Sequence, residues 1–292
     1  MPWLQLKLTT TQEYVDFITD ELVTLGALSV TFEDAEDNPI LEPAPGETPL
    51  WSQLKVTGLF DAECDTQTIL NQINDNQHTL NSAHFEELED KDWERAWMDN
   101  FHPMRFGQHL WIVPSWQTPP EPEATNILLD PGLAFGTGTH PTTSLCLQWL
   151  DANLVNNKSL LDYGCGSGIL AIAAAKLGAN PVAAIDIDPQ ALIATQDNMQ
   201  RNGLNPEAIQ LGKTDSVTEQ TFDIVVANIL AGPLKDLADS IHQLVAPGGS
   251  IVLSGILAEQ ANEIMTVYGR WFEMAHPEQL EDWVRIAGIK KQ

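Results

Sequence analysis

A loop of alternating glycines constrains this chain more than any other stretch. The apolar run 160–163 leads into the loop, and glycines follow at Gly164, Gly166 and Gly168. A run rich in Ala, Ile and Leu comes next and ends near Gly178. This order predicts a strand, a tight loop and a helix. Glycines let the loop turn sharply and approach a ligand, and the start of the helix directs free N–H groups at that ligand.

The glycine spacing separates two classes of ligand. A dinucleotide-binding loop has the pattern G-x-G-x-x-G, which would place a glycine at position 169, where this chain has Ile169. The observed pattern is D-x-G-x-G-x-G and runs from Asp162 to Gly168. It resembles the first motif of the seven-strand methyltransferases that depend on S-adenosylmethionine.

A second apolar run ends in a carboxylate and supports the same prediction. The run 182–185 is typical of a buried strand, and Asp186 follows it, 22 residues after Gly164. An acid at this spacing accepts hydrogen bonds from the hydroxyls of a ribose. The alternative for Asp186 is a helix cap, because Pro189 suits a first helical turn. We assign the cap to Asp188 and ribose binding to Asp186.

The charge of the chain is strongly negative and unevenly distributed. Its 292 residues, a length typical of about two domains, have a net charge of −27. Residues 1–90 contain 18 acidic and only 2 basic side chains. Such a surface repels a phosphate backbone, which argues against direct nucleic-acid binding. Two interpretations of the acidic residues 1–90 remain open. They increase the solubility of the chain, or they form a surface that binds a basic protein.

The three cysteines and the start of the chain bear on the compartment. Cys64, Cys146 and Cys165 are scattered, and their spacing matches neither a zinc site nor a disulfide framework. No apolar stretch of about 18 residues occurs, and residues 1–5 lack the features of a signal peptide. We therefore expect a cytoplasmic protein without a metal.

The first 90 residues predict a small domain of their own. Apolar periodicity gives the order strand-helix-strand-strand-helix-strand, which is typical of a ferredoxin-like α+β sandwich over 1–90. Within it, residues 36–50 hold four prolines and a glycine and predict a loop. The domain contains no glycine loop and no cluster of catalytic side chains. We expect it to recognise a substrate.

A linker helix is predicted to follow over 91–105, with an aromatic stripe of Trp93, Trp97 and Phe101. Aromatic side chains in such a stripe more often pack against a neighbouring element than bind a ligand. The remaining residues, 106–292, alternate strands and helices and close with an antiparallel pair near 271–274 and 283–286. This order predicts an α/β doubly wound sheet, and the resemblance of the glycine motif implies a seven-strand Rossmann-like domain.

Two further segments of this domain supply site residues. The run 130–143 is rich in Gly and Thr, includes Phe135, and is expected to cover a ligand. Pro141 begins a helix with Thr142 and Thr143 in its first turn, where hydroxyls and N–H groups lie near a ligand; the alternative is ordinary capping by Thr139 or Thr143. The strand 222–228 ends in Asn228, which we expect at the same sheet edge as Gly164 and Asp186.

Taken together, these segments resemble one family over nearly the whole chain. The runs LDPGLAFGTGTHPTT (129–143) and NILAGPL (228–234), with the glycine motif and Asp186, are similar to the bacterial methyltransferases of the eleventh large-subunit ribosomal protein. The resemblance implies S-adenosylmethionine as methyl donor, with contacts at Thr143, Gly164, Asp186 and Asn228 and with Gly166 flanking it. It also implies methylation of lysine side chains and an N-terminal α-amine, up to the trimethyl state.

The reaction implied by this resemblance is an in-line attack of an amine on a sulfonium methyl group. A lysine is mostly protonated at neutral pH and must lose a proton before each attack. No His or carboxylate pair is evident for that step, so we expect the proton to pass to solvent while Asn228 and backbone carbonyls orient the amine. Phe135 is a candidate for a cation–π contact with the methylated ammonium group of the substrate. The chain is expected to act as a monomer.

Four alternatives remain. Methyltransferases of nucleobases and glutamine amides carry Pro-Pro and an aromatic residue after the fourth strand, whereas this chain has Asn228-Ile229-Leu230-Ala231. A nicotinamide oxidoreductase is disfavoured by Ile169. The other two are a ribosome-assembly binding module and a methyltransferase that acts on another protein or on a small molecule.

Overall fold

The computed structural model describes residues 3–36, 48–75, 81, 83–88, 101–130, 140–153, 156–217 and 220–292. The chain divides into two units, Met1–Asp99 and Asn100–Gln292. The predicted loop 36–50 lies mostly outside the described residues, as does most of the run 130–143 with Phe135.

The N-terminal unit is an α+β sandwich. Its elements are β1 (Trp3–Thr11), α1 (Val15–Thr24), β2 (Ser29–Asp34), β3 (Gln53–Asp61), α2 (Thr66–Asn74) and β4 (His84–Leu88). The four strands form one antiparallel sheet in the order β2-β3-β1-β4. This order and the sequence of elements confirm the predicted ferredoxin-like fold.

Alternation along the strands and helical spacing build the core of this unit. In β1 every second residue is directed inward, so Leu6 and Leu8 are buried while Lys7 is not. In α1 the buried residues recur at helical spacing, with Ile18 and Leu22 fully enclosed. Both helices therefore cover one face of the sheet with apolar side chains.

The predicted linker helix over 91–105 is only partly described. Residues 89–100, with Trp93 and Trp97, lie outside the described residues. Met104 and Arg105 are not helical, because they belong to a strand, β5 (Met104–Phe106). A helix that ends at residue 105 is therefore wrong over 101–105, none of which is helical. The main chain there pairs antiparallel with β6 (Leu110–Val113), which in turn pairs parallel with β7 (Thr125–Leu128).

The second unit contains the large sheet. Its strands are β8 (Leu160–Tyr163), β9 (Val182–Ile185), β10 (Ile209–Gly212), β11 (Phe222–Asn228), β12 (Val245–Leu257), β13 (Phe272–Met274), β14 (Glu278–Leu280) and β15 (Trp283–Lys290). Its helices are α3 (Pro141–Ala152), α4 (Ile169–Lys176), α5 (Pro189–Arg201), α6 (Ala231–Asp236), α7 (Ala238–Leu244) and α8 (Ala261–Tyr268).

The order of this sheet is β10-β9-β8-β11-β12-β15-β13, with β14 added beside β15. Strands β8 to β12 are parallel, and β15 runs antiparallel to β12 and β13. The seven-strand Rossmann-like fold and its closing antiparallel pair are confirmed. Strand β12 begins at Val245, and its register against β11 shifts between Phe222 and Ile224.

Two apolar cores lie on opposite faces of this sheet. Leu160 and Leu161 are adjacent in β8 and both fully buried, yet they belong to different cores because successive side chains point to opposite faces. Helices α3 and α4 contribute to the core of Leu160, and α6, α7 and α8 to that of Leu161. A strand that is buried on both faces is apolar at most of its positions, as β8 is. Among the described residues, no helix is long and apolar enough to cross a membrane.

Candidate functional site

The glycine loop joins β8 to α4 with three residues in the left-handed region. The φ angles are +76° at Gly164, +54° at Gly166 and +75° at Gly168. L-residues with side chains rarely adopt such values. Space is also limited, because a Cβ atom on Gly164 would lie 2.5 Å from Cγ2 of Ile229. The predicted need for glycine is therefore both conformational and steric at Gly164.

Asp186 joins the loop to the end of the neighbouring strand. Its Oδ2 accepts a hydrogen bond from the N–H of Gly166 at 3.0 Å, and its Oδ1 accepts one from the N–H of Asp188 at 3.0 Å. The Asp188 side chain accepts from the N–H of Gln190 at 2.9 Å and caps α5. The capping role that we assigned to Asp188 is confirmed. Asp186 is thus held in place by two N–H donors.

Thr143 and Asn228 meet on the other side of the loop. Nδ2 of Asn228 lies 3.2 Å from Oγ1 of Thr143, and Thr143 is fully buried in the first turn of α3. Oδ1 of Asn228 is buried and has no hydrogen-bond partner among the described residues. A buried amide oxygen without a partner is costly unless a ligand or water completes it. This acceptor is therefore suited to an N–H or O–H donor of a ligand.

All five predicted site residues lie at one edge of the sheet. Strands β8, β9 and β11 are parallel neighbours, so their carboxyl ends place Gly164, Asp186 and Asn228 side by side. Ile229, next to Asn228, approaches Gly164 closely and joins the two halves of the site. Gly166 is bound to Asp186 and Thr143 to Asn228.

Asp162, the first residue of the motif, lies beneath this site. It is 1% exposed; its Oδ2 accepts from the N–H of Ala171 at 3.0 Å, and Oδ1 has no partner among the described residues. Burial raises the pKa of Asp162 to about 7, the Ala171 N–H opposes the shift, and the charge of Asp186 adds to it. The sequence identified this residue in the motif but predicted no role for it.

Two other side chains of the loop region have defined roles. Burial raises the pKa of the Cys165 thiol to about 12, which keeps it protonated at neutral pH and agrees with its interpretation as a loop residue rather than a nucleophile. His140 is the N-cap of α3, because its Nδ1 accepts from the N–H of Thr142 at 3.3 Å. The cap of α3 is therefore His140 and not Thr143, while Thr139 lies outside the described residues. The His140 ring meets Trp283 edge-on, with centroids 5.0 Å apart.

Sequence reasoning missed the residues that support the loop from α5. Thr195 and Asn198 are buried polar side chains that donate to loop carbonyls, Oγ1 of Thr195 to Gly166 O at 3.1 Å and Nδ2 of Asn198 to Ser167 O at 2.8 Å. A polar side chain on the buried face of an amphipathic helix was the available signal. Among the described residues, no group of three or more His, Cys, Asp or Glu side chains could hold a metal ion.

The arrangement has the features of a site for a polar nucleoside ligand. Its carboxylate suits ribose hydroxyls, its glycine loop lets a ligand approach the backbone, and its unpaired amide oxygen suits a cationic donor.

Comparison with known proteins shows what this chain is similar to. The family model described as ribosomal protein L11 methyltransferase matches residues 2–291. A ribosomal protein L11 methyltransferase of Yersinia pseudotuberculosis is 55% identical over 293 residues, and one of Shewanella woodyi is 52% identical over 294 residues; both alignments cover 100% of each chain. A crystal structure of ribosomal protein L11 methylase from Lactobacillus delbrueckii subsp. bulgaricus has a TM-score of 0.60 and 34% identity, covering 66% of this chain and 100% of that chain.

Proposed function

Because this chain belongs to the ribosomal protein L11 methyltransferase family, we propose that its glycine-loop crevice binds S-adenosylmethionine through Thr143, Gly164, Gly166, Asp186 and Asn228. The protein is a methyltransferase that depends on S-adenosylmethionine and methylates ribosomal protein L11. The single observation that carries the site assignment is the unpartnered amide oxygen of Asn228, which lies at the same sheet edge as the ribose-type carboxylate of Asp186.

The ribose half of the cofactor fits Asp186. Each carboxylate oxygen already accepts one backbone N–H, from Gly166 or from Asp188, which fixes the orientation of the carboxylate. Each oxygen has a further lone pair for one ribose hydroxyl. The two N–H donors thus position the carboxylate before the ligand arrives, and less side-chain entropy is lost on binding.

The amino-acid half of the cofactor fits Asn228 and Thr143. The hydrogen bond between Nδ2 and Oγ1 turns Oδ1 of Asn228 toward the remaining space, where it accepts from an ammonium group. The positive end of the α3 helix dipole favours the opposite charge, the carboxylate of the ligand. S-adenosylmethionine supplies an electrophilic methyl group when bound. The chain's own contribution is to hold the reacting groups in line.

The substrate groups proposed are amines. Lysine side chains and the N-terminal α-amine of L11 are methylated, up to the trimethyl state. The domain over 1–90 recognises the substrate, a linker over 91–105 follows, and 106–292 carries the reaction. The 18 acidic side chains of the first 90 residues complement a basic ribosomal protein. We also place the enzyme in the cytoplasm, as a monomer without direct contact to nucleic acid.

The test combines binding and transfer. Calorimetry should detect binding of S-adenosylmethionine and no binding of a nicotinamide dinucleotide. With labelled methyl donor, purified L11 should become labelled at amines, as located by mass spectrometry, and Asp186→Ala should lose both binding and labelling. Labelling of RNA or of a small molecule instead of L11 would contradict the proposal, as would binding that survives Asp186→Ala unchanged.

A further inference from the structure

Helix α5 presents two buried polar side chains to the glycine loop. Thr195 is fully buried and donates to the carbonyl of Gly166; Asn198 is 8% exposed and donates to the carbonyl of Ser167 at 2.8 Å. The peptide unit that carries the Ser167 carbonyl also carries the N–H of Gly168, which donates to the carbonyl of Cys165 at 2.8 Å inside the loop. A hydrogen bond to the carbonyl of a peptide unit also fixes the direction of the N–H group of the same unit.

Arg201, one turn further along α5, determines which way the Asn198 amide faces. Its Nη1 donates to Oδ1 of Asn198 at 2.8 Å. An arginine can only donate, so the amide oxygen must face Arg201 and the NH2 group must face Ser167. The Ser167 carbonyl favours the same orientation, so the amide is held at both ends; without Arg201 its Oδ1 loses this donor and the amide is held at one end only.

The same guanidinium reaches the end of β7. Nε of Arg201 lies 3.6 Å from Oδ2 of Asp130, whose carboxylate also accepts from the N–H and the hydroxyl of Ser115 at 2.7 and 2.8 Å. Next to it, the amide of Asn202 donates to the carbonyl of Leu128 and accepts from its N–H, both at 2.8 Å. The end of α5 is therefore anchored to β7 at two points.

We propose that Asn198 and Arg201 are positioning residues that hold the glycine loop in its ligand-binding conformation and anchor it to Asp130 at the end of β7. They set the affinity for S-adenosylmethionine without touching it. The inference rests on the proposed function only for the identity of this ligand. The chain of contacts from Ser167 through Asn198 and Arg201 to Asp130 is a property of the protein alone.

The test uses Arg201, because its side chain is 37% exposed and its replacement leaves the core intact. Arg201→Lys keeps the charge but replaces the two separate nitrogens of the planar guanidinium, which contact Asn198 and Asp130, with one ammonium nitrogen, and Arg201→Met removes both contacts. Gln196→Met, an exposed position on the same helix, is the matched control. Each full-length variant is assayed for the Kd and KM of S-adenosylmethionine, for kcat with L11, and for thermal unfolding.

Both Arg201 variants should raise Kd and KM about threefold to tenfold, the range expected for one lost hydrogen bond, with kcat within about twofold. Amide hydrogen exchange of Gly168, whose N–H bonds Cys165 O inside the loop, should accelerate in ligand-free protein. Gln196→Met should match the wild type in all of these.

Two results would overturn the proposal: affinity and loop exchange unchanged in both Arg201 variants, or a loss of kcat with unchanged KM. If the wild type fails to bind S-adenosylmethionine, the proposed function is wrong. The exchange of the ligand-free loop still decides whether Arg201 positions it.

Discussion

The amide nitrogen of Asn228 lies 3.2 Å from the hydroxyl oxygen of Thr143, and the bond orients the whole amide group. Thr143 is fixed by its complete burial in α3, and Asn228 by the end of β11. As a result Oδ1 of Asn228 is left as an acceptor without a partner among the described residues. Two segments 85 residues apart in sequence thus form one half of a ligand site.

Asn228→Ala should weaken binding of S-adenosylmethionine by about tenfold or more, because the hydrogen bond lost is to a charged group. The same change removes an unsatisfied buried oxygen, so the free energy of unfolding of the ligand-free protein should fall little. Calorimetry and urea unfolding measure the two effects. Asn262→Ala, at an exposed position of α8, serves as control and should change neither. Unchanged affinity in Asn228→Ala would remove this residue from the cofactor site.

Substitutions of Asp186 and Asp188 should distinguish an effect on ligand binding from an effect on the stability of the fold. Asp186→Ala should abolish measurable binding of S-adenosylmethionine, because both ribose hydroxyls and the N–H of Gly166 lose their acceptor. Asp188→Ala removes the cap of α5 and should cost about 1 kcal/mol of the free energy of unfolding, with affinity nearly unchanged. Binding and unfolding are measured on both variants. The reverse pattern would show that the ribose-binding acid is Asp188.

Asp162 should make the protein less stable as the pH rises from about 4 to 7. Its pKa is about 7 in the folded protein and near 3.8 when unfolded, so in this window the folded state binds more protons. Unfolding then becomes easier with rising pH, by at most about 4 kcal/mol, and the effect levels off above pH 7. Urea unfolding over this range should show the slope in the wild type and not in Asp162→Asn.

The control for that measurement is Asp197→Asn, an exposed position on α5. It should keep the pH dependence of the wild type. A slope that persists in Asp162→Asn would assign the proton uptake to another group.

Alanine substitutions of Gly164 and Gly203 should distinguish the cost of a steric clash from the cost of backbone strain. Both have positive φ, +76° and +67°, but a Cβ on Gly203 meets nothing within 4 Å, whereas on Gly164 it meets Ile229. Gly203→Ala should cost about 1–2 kcal/mol of the free energy of unfolding, and Gly164→Ala clearly more. Adding Ile229→Ala to Gly164→Ala should recover part of the difference. Equal costs for the two glycine variants would show that the loop relaxes around a side chain.

Local sequence signals were sufficient for most elements. Apolar periodicity predicted the order of strands and helices in the first 90 residues, and the structure has that order from β1 to β4. Glycine spacing predicted the loop from β8 to α4. The linker helix was predicted too long because the Trp and Phe spacing of 93–101 carries no stop signal, and pairing with β6 made Met104 a strand residue. The three-stranded sheet of β5, β6 and β7 depends on such nonlocal pairing.

The chemistry of the site could be predicted from the amino-acid sequence, because its glycine loop, strand-end carboxylate and strand-end amide lie in short segments whose backbone requirements are local. How these groups are completed depends on the folded chain. The unpaired oxygen of Asn228 follows from its contact with Thr143, the raised pKa of Asp162 from burial beneath Asp186, and the contacts of Asn198 and Arg201 from packing of α5 on the loop. These properties arise between segments distant in the chain, because desolvation and hydrogen-bond geometry exist only once the segments have packed together.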